Sequence, residues 1–92
     1  MISYQYDTNA LTIEEQKNEL DTEFILKVKD VDGIIPALRK VRAFFDQDKV
    51  YTDVIFYPHP NHEYQIIVRQ DYYIDFLLAL FKNKIIHTLE WS

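Results

Sequence analysis

Two runs rich in β-branched and aromatic residues stand on either side of a proline-containing turn in the middle of the chain. The runs are 50–57 (VYTDVIFY) and 63–69 (EYQIIVR), and residues 58–62 (PHPNH) separate them. β-branched and aromatic side chains favour strands, whereas proline interrupts a strand and asparagine favours a turn. The pattern therefore predicts a β-hairpin at the centre of the fold.

A strand and an amphipathic helix are predicted before the hairpin. Residues 23–29 alternate apolar and polar side chains, as a strand with one buried face does, and residues 30–33 (DVDG) end that strand. Apolar residues then recur at steps of four, three and four, which is the spacing of one face of a helix that runs to about Gln47. They are Ile34, Leu38, Val41 and Phe45.

A second helix and a closing strand are predicted after the hairpin. The helix runs from Tyr72 to about Lys82 and is apolar almost all round, which indicates that it is largely buried. Asn83 is a typical left-handed residue at the end of a helix. Residues 85–91 (IIHTLEW) are predicted to form the closing strand.

The order of elements from residue 23 onward is β-α-β-β-α-β. This order predicts an α+β domain of the ferredoxin-like type, with a four-stranded antiparallel sheet and both helices on one face. Residues 1–22 form an N-terminal extension, in which 2–6 predict a short strand and 11–20 fit either a returning strand or a short exposed helix. A chain of 92 residues is long enough for one domain, so 1–92 is predicted to be a single domain with its core in 23–92.

The sheet face away from the helices is predicted to be apolar at its centre. In the ferredoxin-like strand order, each strand contributes one isoleucine to this face: Ile86, Ile25, Ile67 and Ile55. Tyr51 and Tyr57 lie beside them. Because such an apolar row is unfavourable in water, we expect either the N-terminal extension or a second copy of the protein to cover it. These six residues are the predicted interface, and the outer flank of the second helix at Ile74 and Leu78 is the alternative.

Charge and cysteine content exclude several classes of function. Ten basic and fifteen acidic residues give a formal net charge of −5, which opposes binding to nucleic acid and to anionic membranes. The chain has no cysteine, which excludes disulfides, thiolate catalysis and cysteine-ligated metal centres. Its longest mostly apolar run has about ten residues, half of what a membrane-spanning helix needs. We therefore expect a cytoplasmic protein that binds neither nucleic acid nor membrane.

The hairpin tip carries residue types that occur in metal sites. His59, His62 and Glu63 lie within five residues and offer two imidazoles and a carboxylate to a zinc-type ion. A structural zinc site needs four ligands and a catalytic one three, and two prolines make the same segment a rigid polar turn. The turn is the preferred interpretation, so no metal or cofactor is predicted.

The turn after the first strand of the core has an Asp-x-x-Gly pattern. Asp30 and Gly33 lie in the segment VKDVDGII at 28–35. This segment resembles the first turn of ACT domains, regulatory modules of the same topology that bind amino acids between paired subunits. The resemblance covers eight residues and implies a small-molecule site near Asp30, Gly33 and Ile34 at a subunit interface.

Groups suited to catalysis are few. The only serines are Ser3 and Ser92, and a single glycine excludes a phosphate-binding loop or a dinucleotide fingerprint. We therefore predict a small acidic, non-enzymatic interaction or regulatory domain that acts through protein contacts, as a homodimer or with another protein. Two alternatives remain open on fold-level analogy: an ACT-like sensing module, and a small dimeric α+β barrel enzyme in which His87, Tyr51 or Tyr57 acts as acid or base.

Overall fold

The computed structural model describes residues 1–47 and 53–91. Its strands are β1 (Ile2–Gln5), β2 (Leu11–Lys17), β3 (Asp21–Val28), β4 (Val54–His59), β5 (Glu63–Arg69) and β6 (Thr88–Trp91). The helices α1 (Val31–Asp46) and α2 (Tyr73–Lys82) follow β3 and β5, and a 3₁₀ turn (Gln70–Tyr72) precedes α2. Within these residues no helix is both long and apolar enough to cross a membrane.

The strands form two sheets. An antiparallel four-stranded sheet has the order β2-β3-β5-β4, and β1 and β6 pair with each other in a separate two-stranded ribbon. The α+β class, the hairpin of β4 and β5, and both helices are as the sequence predicts. The predicted ferredoxin-like strand order is wrong. That order places β6 beside β3, but in the structure β2 occupies this position.

The end of α2 explains why the closing segment does not join the main sheet. The N–H of Ile85 donates to the C=O of Leu80 (2.9 Å) and the N–H of Lys84 donates to the C=O of Phe81 (3.1 Å). These two bonds are the Schellman pattern of a helix C-terminus, in which one residue takes the left-handed conformation. That residue is Lys84, with φ of 62°, and not the predicted Asn83.

The chain enters the core directly after this turn. Ile85 and Ile86 are each 1% exposed, so the prediction that Ile86 lies on the open sheet face is wrong. The expected strand 85–91 is shortened to Thr88–Trp91. His87, predicted in mid-strand, lies in the turn before β6, where its N–H donates to the C=O of Gln5 (2.8 Å).

The segment 11–20, which fits either strand or helix by sequence, forms β2. Leu11 and Ile13 are buried on the helix side of the sheet, and Glu14 lies exposed on the other side. This alternation has the two-residue period of a strand, which needs fewer apolar positions than a helical stripe. β2 pairs with β3 along its whole length, from Leu11 opposite Val28 to Lys17 opposite Thr22.

The helices and the ribbon pack against one face of the four-stranded sheet. The ring of Phe76 in α2 lies 4.8 Å from that of Phe24 in β3 and 6.4 Å from that of Phe56 in β4. Phe45 of α1 contacts the same ring at 6.1 Å. Within residues 1–47 and 53–91, no element lies over the opposite face of the sheet.

Candidate protein interface

The open face of the four-stranded sheet presents alternate residues of β2, β3, β5 and β4. The strand register aligns these residues in rows that run across the sheet. One row is Gln16, Glu23, Ile67 and Ile55, and the next is Glu14, Ile25, Gln65 and Tyr57. In the first row the two isoleucines lie on β5 and β4, and in the second row Gln65 separates Ile25 on β3 from Tyr57 on β4. The acidic residues of the two rows lie on β2 and β3.

Ile25, Ile55, Ile67 and Tyr57 form what we call the apolar patch. Ile55 and Ile67 lie directly opposite each other, and Ile25 and Tyr57 stand on either side of Gln65 in the next row. The three isoleucines are partly buried by their neighbours, whereas Tyr57 is 46% exposed. The structure therefore brings together four of the six predicted interface residues.

The other two predicted interface residues and the predicted N-terminal cover lie elsewhere. Ile86 is in the core, and Tyr51 is outside the described residues. The extension does not cover the patch, because β1 packs against the helix-side core through Tyr4 and Tyr6.

A chain of polar side chains crosses the open face and passes through the patch at Gln65, which lies between Ile25 and Tyr57. Nε2 of His59 is 3.0 Å from Oε1 of Gln65, and Nε2 of Gln65 donates to Oε1 of Glu23. Since Oε1 of Gln65 only accepts, Nε2 of His59 carries the proton in this arrangement. The imidazole of His59 therefore makes a hydrogen bond within the sheet.

The candidate metal ligands of the hairpin tip, His59, His62 and Glu63, do not form a ligand cluster. Among the described residues there is no group of three or more histidine, aspartate and glutamate side chains that could hold a metal ion. Asn61 and His62 take left-handed conformations, with φ of 64° and 60°. The C=O of His62 accepts from the N–H of Val28 (3.0 Å), which fixes the tip against the end of β3. The geometry of the tip is that of a tight polar turn.

Asp30 and Gly33 form the N-terminal cap of α1. Oδ1 of Asp30 accepts a hydrogen bond from the N–H of Gly33 (3.1 Å), which satisfies one of the unpaired N–H groups at the start of a helix. A Cβ atom at Gly33 would lie 2.3 Å from Oδ2 of Asp30, so a larger residue there would displace the capping side chain from this position. Ile34 is buried in the core. These contacts give the Asp-x-x-Gly pattern a structural role as a helix cap. The ACT domains that this segment resembles have the ferredoxin-like strand order, which is not the order of this sheet.

Glu15 connects β1 to α2, a role that no sequence pattern identified. Its carboxylate accepts hydrogen bonds from the hydroxyl of Tyr4 and, at 2.8 Å, from that of Tyr73. Burial raises the pKa of Tyr4 and of Tyr73 above the usual tyrosine value, and the hydrogen bond and negative charge of Glu15 raise both pKa values further. Both phenols therefore stay protonated, and the group holds the ribbon against the helix.

A groove lies on the opposite side of the sheet, between α1, α2 and the start of β4. It has a volume of about 660 Å³. Phe44 and Leu78 line it and are 56% and 40% exposed. Lys40 and Lys82 also line it, and neither is among the ion pairs found in the described part of the chain.

The residues of the enzyme alternative are not gathered in one site. Tyr57 lies on the open face, His87 lies in the turn before β6, and Tyr51 is outside the described residues. Comparison of the chain with protein-family models, with curated proteins and with solved structures finds no match.

Proposed function

We propose that this protein is a small non-enzymatic module of the cytoplasm that acts through protein contacts and forms a homodimer through the apolar patch. The observation that carries the proposal is the patch itself, because no described segment of the chain covers Ile25, Ile55, Ile67 and Tyr57. A second copy supplies a matching apolar surface without any further component, and homodimers are the most frequent assemblies of small proteins.

The size of the surface indicates the strength of the contact. Four strands spaced by about 4.8 Å, with roughly six residues each, make a face of about 19 Å by 20 Å. This area of roughly 400 Å² in projection is below the ~800 Å² per partner of a typical stable complex. We therefore expect a weak dimer whose population depends on protein concentration.

Light scattering on a sizing column, at two protein concentrations about a hundredfold apart, tests this proposal. The wild type is expected to show a mass close to the dimer at the higher concentration and close to the monomer at the lower. Ile67→Lys removes an apolar side chain from the centre of the patch and places a charge there, so it is expected to weaken the dimer at least about tenfold.

Leu20→Lys is the matched control for this substitution. Leu20 is 70% exposed in the turn between β2 and β3, away from the patch, so the same chemical change there is expected to leave the dimer intact. Wild-type protein that stays monomeric at the higher concentration contradicts the proposal, and so does an Ile67→Lys variant that remains folded and dimerises like the wild type.

The groove between the helices favours small-molecule binding as a second candidate function. Its volume lies within the roughly 300–1,000 Å³ of ligand sites. The groove is lined by two lysines, Lys40 and Lys82, and by two carboxylates, of which Asp53 is paired with Arg69 (Oδ1 to Nε, 3.8 Å) and the other is Asp75. The chemistry that fits is a small amphipathic carboxylate, with its hydrocarbon part on Phe44 and Leu78.

Decanoate is a suitable probe for the groove. It is expected to raise the melting temperature of the wild type and of the control Lys17→Glu, and to have little effect on the double variant Lys40→Glu/Lys82→Glu. Equal stabilisation of all three proteins, or equal stabilisation by decanol, would contradict a site built around these lysines.

A further inference from the structure

The open face of the four-stranded sheet carries an outer row of charged residues on each side of the apolar patch. In one outer row, Asp21 of β3 lies opposite Arg69 of β5. In the other, Lys27 of β3 lies opposite Glu63 of β5. Residues on one face of a strand are about 6.8 Å apart, so the two outer rows are separated by about 20 Å, with the apolar patch between them.

The signs of these charges alternate both along the strands and across them. On β3, Asp21 is negative and Lys27 is positive, whereas on β5, Arg69 in the row of Asp21 is positive and Glu63 in the row of Lys27 is negative. A two-fold rotation about an axis that runs across the strands, between two facing sheets, exchanges the two outer rows and keeps each strand over the same strand of the partner. Each of the four charges then lies over an opposite charge.

The four charged side chains are available to a partner. Lys27 and Arg69 are exposed, and Asp21 and Glu63 are partly exposed. The ion pairs found among the described residues include neither Lys27 nor Glu63. Arg69 contacts Asp53, but 59% of its side chain is exposed. The carboxylate of Asp21 accepts one hydrogen bond within the turn between β2 and β3 and has lone pairs for others.

We infer that two copies of this protein pack their open faces together, related by a two-fold axis that runs across the strands through the middle of the apolar patch. This inference rests on the proposed homodimer and gives its geometry. Asp21 pairs with Lys27 of the partner subunit, and Arg69 pairs with Glu63 of the partner subunit, so symmetry produces four ion pairs around the patch. The strands of the two sheets stay aligned, as in sandwiches whose sheets lie about 10 Å apart.

The apolar patch selects this axis over a second two-fold rotation that also matches the charges. An axis along the strands, between β3 and β5, would place Ile55 and Tyr57 of β4 over the polar residues of β2 in the partner. The axis across the strands places β4 over β4, so Ile55 lies over Tyr57 of the partner subunit. On β3, Ile25 lies over Glu23 of the partner subunit, whose carboxylate already accepts a hydrogen bond from Gln65 and is not left unpaired when it is covered. Both apolar patches are covered in this arrangement.

Charge complementarity identifies a second copy as the partner of this face. In the same arrangement, Glu14 lies over Gln16 of the partner subunit, and Asp53, the neighbour of Arg69 in the β4–β5 ladder, lies over His59 of the partner subunit. Within the described rows, no two like charges therefore face each other directly, although each copy carries a formal net charge of −5. An unrelated partner would need this alternation of charges, about 20 Å apart around an apolar centre, and a second copy already has it.

Exchange of charges within one chain tests this axis. Lys27→Glu places like charges over Asp21 of the partner subunit at two symmetric sites, so this variant is expected to lose dimer affinity about tenfold in light scattering. The double variant Asp21→Lys/Lys27→Glu exchanges the two charges and is expected to recover most of that affinity. Circular dichroism checks that each variant is folded.

The double variant Lys27→Glu/Glu63→Lys is the matched control. It has the same net charge as the wild type and as the first double variant, and it keeps opposite charges on neighbouring strands within each sheet. Across the interface, however, it leaves like charges over Asp21 and over Arg69 of the partner subunit, so it is expected to stay as weak as Lys27→Glu alone. An axis along the strands would reverse the order of the two double variants.

Cross-linking provides a second readout that does not depend on charge. The chain has no cysteine, so single introduced cysteines react selectively. A bismaleimide whose span matches the ~10 Å between packed sheets is expected to join Asp21→Cys to Lys27→Cys in a mixture. It is expected to join neither variant to itself, because equivalent positions then lie about 20 Å apart along the strands.

The outcomes separate the axis from the homodimer. A dimer in which the two double variants behave alike, or in which the cysteine mixture is cross-linked no more than either variant alone, overturns this axis and leaves the proposed homodimer standing. A wild type that is monomeric at every concentration overturns both.

Discussion

At the scale of the residue, Lys84 holds a backbone conformation that costs free energy. Its φ of 62° brings the Cβ atom too close to the backbone, a cost that glycine does not have. Lys84→Gly is therefore expected to raise the free energy of unfolding by about 0.5–1 kcal/mol, after allowance for the greater freedom of glycine in the unfolded chain. Urea unfolding monitored by circular dichroism measures this difference.

Asn83→Gly is the matched control, one residue away. Asn83 has φ of −95°, and its side-chain Nδ2 donates to the C=O of Ala79 (2.9 Å). Glycine gains nothing at this backbone conformation and loses that bond, so this variant is expected to be less stable than the wild type. If both substitutions destabilised the protein to the same degree, the left-handed conformation of Lys84 would not be a source of strain.

At the scale of the element, the sequence predicts those strands and helices that are determined by residues close to one another in the chain. The hairpin of β4 and β5 follows from two strand-forming runs around a turn, and α1 follows from its helical spacing. The position beside β3 is different, because two segments with strand patterns, β2 and β6, compete for it. The turn made by Lys84 and the burial of Ile85 and Ile86 decide that competition, and local spacing does not reveal it.

The residues of the candidate interface also fall into two groups, those that the sequence predicts correctly and those that it does not. Ile25, Ile55 and Ile67 were placed on one face from the two-residue period alone, which holds wherever the strands themselves are correctly predicted. Ile86 would share this face only if the strand included residue 86, but β6 begins at Thr88 and Ile86 lies in the core. The edge position of β4 is the same in the predicted and the observed order, whereas the other edge strand is β2 and not β6.

At the scale of the whole molecule, the connection through Glu15 joins three parts that are far apart in sequence. It links the ribbon through Tyr4, the main sheet through β2, and α2 through Tyr73. The ring of Tyr73 also stacks on that of Phe24, at 5.9 Å between centroids. The ribbon is thereby held against the face that carries the core, and among the described residues the opposite face of the sheet has no covering element.

The stability that the hydrogen bond between Tyr4 and Glu15 contributes depends on pH. The raised pKa of Tyr4 gives the direction of this dependence. At about pH 8, Tyr4→Phe is expected to lower the free energy of unfolding by about 1 kcal/mol, the net value of one hydrogen bond to a partly exposed carboxylate. Above about pH 10 the unfolded wild type releases its phenolic proton while the folded protein retains it, so the stability that Tyr4 contributes is lost as the pH rises. The difference between wild type and Tyr4→Phe in urea unfolding should therefore shrink between about pH 8 and pH 11. A Tyr4→Phe difference that stayed constant over this range would contradict the role of the bond to Glu15.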